Sequence, residues 1–304
     1  MTPMEYEARY KTLRVEFIAT DTPPVTLSIY KYRLGAMKPE GHTLMTAARD
    51  YLARQQKQSS DFTLALIVNG KPATFGMWPV LAPHIARPFS GKGSPEDCQI
   101  VAQMAVLLNR TTAANLQTYC DNNIGLDCNG FVGNFLWHGR ANNDWMDIPG
   151  DHDLGPEMSI DGFFDKGRPI GGLDKLQPGE LNVFGLVSST SFRIVPVAVW
   201  NPNGTLKEAG HIVATEPGWF TQCVTNNGDP PFLGLYGVES TGNTKTGVAV
   251  GLTDDWCTIK EYMNPANNKP RNVVGYPHHR IFTIHRNSKD QDDLFAICAF
   301  SLQP

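Results

Sequence analysis

The sequence lacks the features that mark nucleic-acid-binding and membrane proteins. Its 304 residues carry a formal net charge of −4, and they contain no basic run interleaved with aromatic residues. A nucleic-acid groove needs a concentration of positive charge that this chain does not have. No apolar stretch approaches the ~20 residues needed to cross a bilayer. We therefore expect no nucleic-acid partner and no membrane span.

The beginning of the sequence also lacks a secretion signal. Residues 1–7 have neither the basic segment nor the apolar segment of a signal peptide. We therefore expect a protein that is made in the cytoplasm. It either stays there, or leaves by a route without a cleaved signal or through lysis of the cell.

The six cysteines are scattered, and none forms a Cys-x-x-Cys pair. A zinc site therefore has little support. The triplet Asp-His-Asp at 151–153 lacks the regular carboxylate spacing of a calcium loop. We expect no metal and no cofactor. If one cysteine is a free nucleophile, the odd remainder makes a poor disulfide framework, which indicates reduced thiols.

The chain divides into two predicted blocks with α+β character, and its hydrophobic content of 41% supports a packed core. Residues 1–93 form an accessory region that ends in a linker at 79–93, which is rich in proline and glycine. The elements predicted there are strands at 13–17, 25–29 and 62–68, a helix at 43–56, and a hairpin turn at Asn69-Gly70.

Residues 94–304 form the second predicted block, in which a helix is followed by consecutive strands. Ser94, Pro95 and Asp97 have the pattern of a capped helix start. The long acidic segment 141–172 is predicted to be a loop at the rim of a cleft. The predicted strands are 183–187, 192–200, 211–215, 235–241 and 248–252, with edge strands at 281–285 and 294–300.

The segment 126–133 reads Leu-Asp-Cys-Asn-Gly-Phe-Val-Gly and is the most informative part of the chain. Asp127 is placed to cap a helix whose first turn carries Cys128. Unpaired N–H groups and the helix dipole favour a thiolate there, and a thiolate is a nucleophile. The alternative interpretation is a buried structural cysteine at a helix start.

This segment resembles the Asp-Cys-Ser-Gly-Phe-Val signature of the NlpC/P60 cysteine peptidases, a papain-like family of cell-wall enzymes. Three further segments are similar to family segments and occur in the family's order. They are the Pro-Gly-Glu-Leu strand entry within 176–184, the segment Gly-His-Ile-Val at 210–213, and the strand region 238–250. The resemblance covers less than half of the chain. It implies a helix that bears the cysteine packed on an antiparallel sheet.

The resemblance also implies a catalytic triad. Cys128 takes the place of the nucleophile and His211 that of the base. The third position departs from the family pattern, because Glu239 stands where His, Asn or Gln is usual. A carboxylate can still orient an imidazole. Glu216 and Asn227 are alternatives if the strand register differs by one.

The oxyanion and substrate side of the site is assigned to three further residues, Asp127, Tyr119 and Ser240. The backbone N–H of Cys128 should donate to the oxyanion, and the Tyr119 hydroxyl is a candidate second donor. The alternative for Tyr119 is a packed aromatic ring whose hydroxyl finds a local partner.

The substrate implied by the resemblance is the peptide stem of peptidoglycan, cut at a bond involving D-Glu and diaminopimelate. Peptidoglycan or a muropeptide is then the partner, together with an immunity or inhibitor protein. Peptidoglycan lies outside the cytoplasm. The protein could reach it through delivery by a secretion machine or through phage lysis, or it could act on a muropeptide in the cytosol. Two other functions stay open: acyl transfer onto an amine or lipid, and a catalytically silent binding module.

Overall fold

The computed structural model combines α-helices with antiparallel strands, which confirms the predicted α+β character. It describes residues 1–18, 22–33, 36–140, 144–150, 153–177, 180–196, 198–200, 206–215, 221–223, 232–240, 252–286 and 290–301. The helices within these ranges are α1 Pro3–Lys11, α2 Pro39–Gln58, α3 Trp78–Phe89, α4 Pro95–Leu107, α5 Leu116–Asn123, α6 Cys128–Asn134 and α7 Ile160–Lys166.

The strands fall into one large sheet and several two-stranded pairs. The small pairs are β1 Leu13–Val15 with β2 Val25–Leu27, β3 Leu64–Val68 with β4 Lys71–Phe75, β7 Ala198–Trp200 with β8 Leu206–Ala209, and β13 Met263–Asn264 with β14 Lys269–Pro270. The large sheet contains β5 Arg168–Pro169, β6 Glu180–Leu186, β9 Ile212–Thr215, β10 Thr221–Cys223, β11 Phe232–Ser240, β12 Leu252–Glu261, β15 Asn272–Val273, β16 Tyr276–Arg286 and β17 Gln291–Ser301.

Six strands of the large sheet close into a ring. In the order β6, β9, β11, β12, β16 and β17, each pairs antiparallel with its neighbours, and β17 pairs again with β6. The prediction that 281–285 and 294–300 are edge strands is therefore wrong. Residues 295–300 are all buried, so both faces of this part of β17 are covered by other parts of the protein.

Several elements at the beginning of the chain and at the start of the second block confirm the sequence-based predictions. Strands β1 and β2 and helix α2 form where the periodicity indicates them. The hairpin turn between β3 and β4 uses Asn69 and Gly70 with φ of 51° and 73°, the left-handed conformation that such two-residue turns require. Helix α4 begins with the predicted capping box, in which Ser94 and Asp97 bond each other's backbone.

The predicted linker at 79–93 is wrong, because most of it forms helix α3. Pro79 stands in the first turn, where a missing N–H costs nothing, but Pro83 and Pro88 lie inside the helix. Burial of Leu81, Ile85 and other side chains of α3 outweighs the preference of proline against a helix interior, since tertiary packing commonly overrides helix propensity.

The predicted loop at 141–172 is also only partly a loop. It contains helix α7, which buries Ile160, Phe163 and Phe164. The predicted strand at 192–200 begins later, at β7, because Phe192 has a left-handed φ of 56° and stands in a turn. Most of the predicted strand at 248–252 lies outside the described residues.

The N-terminal block and the sheet share one hydrophobic core. The rings of Tyr6 and Tyr10 on α1 pack against Phe131 on α6, with centroid distances of 6.0 and 6.4 Å. Tyr6 also lies 5.9 Å from the ring of Phe135, just after α6. The first helix of the chain, α1, therefore packs against α6, the helix that carries Cys128. No described helix is both long enough and apolar enough to span a membrane.

Candidate active site

The helix that carries Cys128 begins as the sequence predicts. Asp127 is the N-cap of α6, and its carboxylate accepts the backbone N–H of Gly130. Cys128 is the first residue of the helix, where backbone N–H groups have no helical partner. The structure confirms the predicted cap, and it places the thiol at the positive end of a short helix.

Two glycines let other backbone segments approach this helix closely. A Cβ on Gly130 would lie 1.9 Å from the carbonyl oxygen of Gly91, and one on Gly133 would lie 2.2 Å from that of Gly155. Neither distance leaves room for a side chain. Glycine in the motif is therefore required by packing around the start of α6.

The Cys128 sulfur rests against the segment that enters β9. Its Sγ lies 4.0 Å from the carbonyl oxygen of Gly210 and 3.5 Å from Oδ1 of Asn129. The backbone N–H of Ile212 also acts on the thiol and favours its ionised form. His211 stands between Gly210 and Ile212, and its carbonyl accepts the N–H of Leu186 on β6 at 2.9 Å. The fold thus brings the segment that contains the predicted base to the predicted nucleophile.

The thiol is enclosed, and this changes its ionisation. Cys128 is only 1% exposed. Burial, and after it the charge of Asp127, raise the pKa of Cys128 to about 12, while Lys92 and the N–H groups of Ile212 and Asn129 lower it. The expectation of a ready thiolate is therefore wrong for the free protein, because loss of solvent outweighs the helix N-terminus.

Asp127 has a cationic partner that the sequence did not reveal. The Nζ of Lys92 lies 2.8 Å from one carboxylate oxygen of Asp127 and 3.0 Å from the other. Burial raises the pKa of Asp127, and Lys92 opposes that rise. No local pattern connects the two residues, since only the fold brings the chain after α3 to the start of α6.

The Tyr119 hydroxyl is engaged away from the thiol. It donates to Oε1 of Glu40 on α2 at 3.1 Å, and Glu40 is paired with Arg110. A different tyrosine, Tyr32, lies by the site: it forms a parallel bridge with Leu126. Burial first, then the neighbouring Cys128 and Asp127, raise the pKa of the Tyr32 phenol. Sequence reasoning missed Tyr32 because it comes from a loop in the N-terminal block.

The third predicted triad residue is located by its backbone alone. Strand β11 pairs with β9 through Val238 and Ala214, so Glu239 and Ser240 lie on the strand next to the one that follows His211. The alternatives Glu216 and Asn227 lie outside the described residues. Among the residues that the structure describes, no three His, Cys, Asp or Glu side chains cluster as a metal site requires. Of the triplet at 151–153, only Asp153 is described.

Comparison of the chain with protein-family models, with curated proteins and with solved structures found no match. The functional argument therefore depends on the geometry around Cys128 and on the motif resemblance.

Proposed function

We propose that the chain is a cysteine peptidase or amidase of the NlpC/P60 type that cleaves amide bonds in the peptide stem of peptidoglycan. One observation carries this proposal. Cys128, the first residue of a capped helix, lies against the 210–212 segment, in which His211 is the central residue. We infer that the His211 imidazole reaches the Cys128 sulfur from this segment, which is the arrangement that thiol-dependent acyl transfer needs.

The proposed reaction begins with transfer of the Cys128 thiol proton to the imidazole of His211. The sulfur then attacks the substrate carbonyl carbon, and the backbone N–H of Cys128 donates to the oxyanion. The C–N bond breaks as the imidazolium gives its proton to the leaving amine. Water hydrolyses the thioester and restores the thiol. Glu239 is proposed to orient His211.

The raised pKa of Cys128 is compatible with this sequence of steps. A thiol with a pKa of about 12 keeps its proton in the free protein, so ionisation has to be coupled to a base and to bound substrate. A papain-like core is proposed on the same grounds. Helix α6 packs on β9 of the antiparallel sheet, as the family resemblance implies.

The first experiment incubates the purified protein with soluble muropeptides and identifies the products by mass spectrometry. We expect cleavage that falls by more than about 1,000-fold in Cys128→Ala and nearly as far in His211→Ala, because nucleophile and base act as a unit. Glu239→Gln should cost less. Cys120→Ala and His285→Ala are matched controls outside the site and should retain cleavage. Full activity in Cys128→Ala would end the proposal.

The enclosure of Cys128 favours a second candidate, a binding module whose cysteine does no chemistry. A thiol that is 1% exposed is not open to a substrate without movement of its surroundings. If the chain is such a module, it should bind muropeptides without cleaving them, and the affinity should be the same in wild type and Cys128→Ala. A covalent acyl adduct on Cys128 that is passed to an amine rather than to water would instead indicate acyl transfer.

A further inference from the structure

Lys92 is a partly enclosed cation at the start of the nucleophile helix. Its side chain is 13% exposed and that of Asp127 is 2% exposed, and its Nζ lies 2.8 and 3.0 Å from the two carboxylate oxygens. Because little water surrounds the pair, each charge acts strongly on its neighbours.

The backbone of Lys92 is held on both sides. Its N–H donates to the carbonyl of Arg87 near the end of α3 at 2.9 Å, and its carbonyl accepts Nδ2 of Asn134 at the end of α6 at 2.9 Å. It also forms an antiparallel bridge with Leu126. These contacts fix the position of the Lys92 backbone, from which its side chain reaches Asp127.

The N-cap Asp127 and the nucleophile Cys128 would both carry a negative charge at the start of α6. As N-cap, Asp127 is useful as an anion, because it accepts an N–H at the positive end of α6. A second negative charge must nevertheless appear on the adjacent Cys128 sulfur during the reaction. Two neighbouring buried anions repel each other, and a cation beside them offsets that repulsion. The charge of Asp127 raises the pKa of Cys128 and that of Lys92 lowers it.

We propose that Lys92 is a positioning residue for the Cys128 nucleophile: its ammonium balances Asp127 so that the thiol can lose its proton beside that carboxylate. In that step the S–H bond breaks, sulfur keeps the electron pair, and the proton passes to His211. This inference rests on the proposed function for the identity of the base. The effect of Lys92 on the thiol itself needs no substrate.

The test is the rate at which iodoacetamide, a neutral reagent, alkylates Cys128 at pH 8, followed by peptide mass spectrometry. The rate below the pKa is proportional to the thiolate fraction, so a shift of one pKa unit changes it about tenfold. We expect Lys92→Met to slow alkylation roughly tenfold and Asp127→Asn to accelerate it by a similar factor. Lys92→Arg should stay close to wild type.

The expected changes in alkylation rate have opposite signs in Lys92→Met and Asp127→Asn, and this distinguishes an electrostatic role of Lys92 from a structural one. A change that merely loosened the site would expose the thiol and accelerate alkylation in both variants, which would overturn the proposal. If Lys92→Met does not fold, the double variant Lys92→Met/Asp127→Asn leaves neither charge unpaired. It must react more slowly than Asp127→Asn alone, and equal rates contradict the proposal. Slower alkylation in Lys92→Met and faster alkylation in Asp127→Asn, without any muropeptide cleavage by the wild type, would uphold the role of Lys92 and reject the proposed hydrolase function.

Discussion

At the scale of single residues, the backbone that passes beside Gly130 explains why position 130 is a glycine. The carbonyl oxygen of Gly91 would lie 1.9 Å from a Cβ at this position. Gly91 has a φ of 82°, and a Cβ there would meet the carbonyl of Arg33 at 2.3 Å. Three stretches of backbone therefore converge at the start of α6, and neither Gly91 nor Gly130 has space for a methyl group.

We expect Gly130→Ala to lower the free energy of unfolding by more than about 2 kcal/mol, because the helix must move away from its neighbour. Urea denaturation followed by circular dichroism measures this loss. Gly76→Ala is the matched control, since a Cβ there meets only the Thr63 methyl at 3.6 Å. Equal stability of the two variants would contradict this account of the contact.

The site could be predicted from the sequence only where its contacts are local. Asp127 and Gly130 are three residues apart, so the cap is visible as a spacing. The pairing of Lys92 with Asp127 and the position of Tyr32 beside Cys128 depend on distant parts of the chain. Burial of the thiol was not predictable either, because a helix N-terminus in a sequence carries no information about what covers it.

At the scale of elements, α7 and β16 meet through aromatic contacts around His279. This side chain is 5% exposed, and its ring centroid lies 5.3 Å from that of Phe164 on α7 and 5.5 Å from that of Tyr276. Burial, with His278 beside it, lowers the pKa of His279 to about 4, and Asp165 opposes the change. The interface is therefore built around a neutral imidazole.

This interface should weaken in acid. The unfolded chain, with a histidine pKa of about 6.5, takes up the proton before the folded one, so the stability is complete above about pH 6.5 and is lost as pH falls towards about 4. We expect His279 to account for about 1–2 kcal/mol of that loss. Urea denaturation across this range should show a shallower pH dependence in His279→Gln than in wild type. Matching slopes for His279→Gln and wild type would reject the assignment.

Elements with strong local signals were predictable, whereas those fixed by distant packing were not. The capping box of α4 and the Asn69-Gly70 turn follow from short-range rules. Helix α3 forms despite its internal prolines because its apolar side chains are buried. Strands β16 and β17 are interior strands because each pairs with a neighbour on both sides, β12 and β17 for β16, and β16 and β6 for β17. Pairing partners are a property of the whole sheet, and periodicity alone does not specify them.

At the scale of the whole molecule, the N-terminal block and the ring of strands are joined through the core beneath α6. Tyr10 contributes its ring to that core and donates its hydroxyl to the carbonyl of Gly93 at 3.0 Å. The Tyr10 ring also packs on Phe131 of α6, so residues on both sides of the 93/94 boundary pack together, and we expect them to unfold together.

Calorimetry should show one unfolding transition, and Tyr10→Ala should move all of it, with a loss of about 3–5 kcal/mol for removal of a buried ring. Tyr10→Phe keeps the ring and loses one hydrogen bond, so it should cost only about 1 kcal/mol. Two transitions, of which Tyr10→Ala shifts just one, would show that the two blocks are independent.

The closure of the ring by β17 has a consequence for biosynthesis. This strand follows every other member of the ring along the chain, yet it pairs with β6, the first of them. While a ribosome is still translating the residues before Gln291, β6 and β16 each lack a partner, and β9 lies in an incomplete sheet. The segment 210–212, which lies against Cys128, leads into that sheet, so we expect this contact to form only after β17 has emerged from the ribosome.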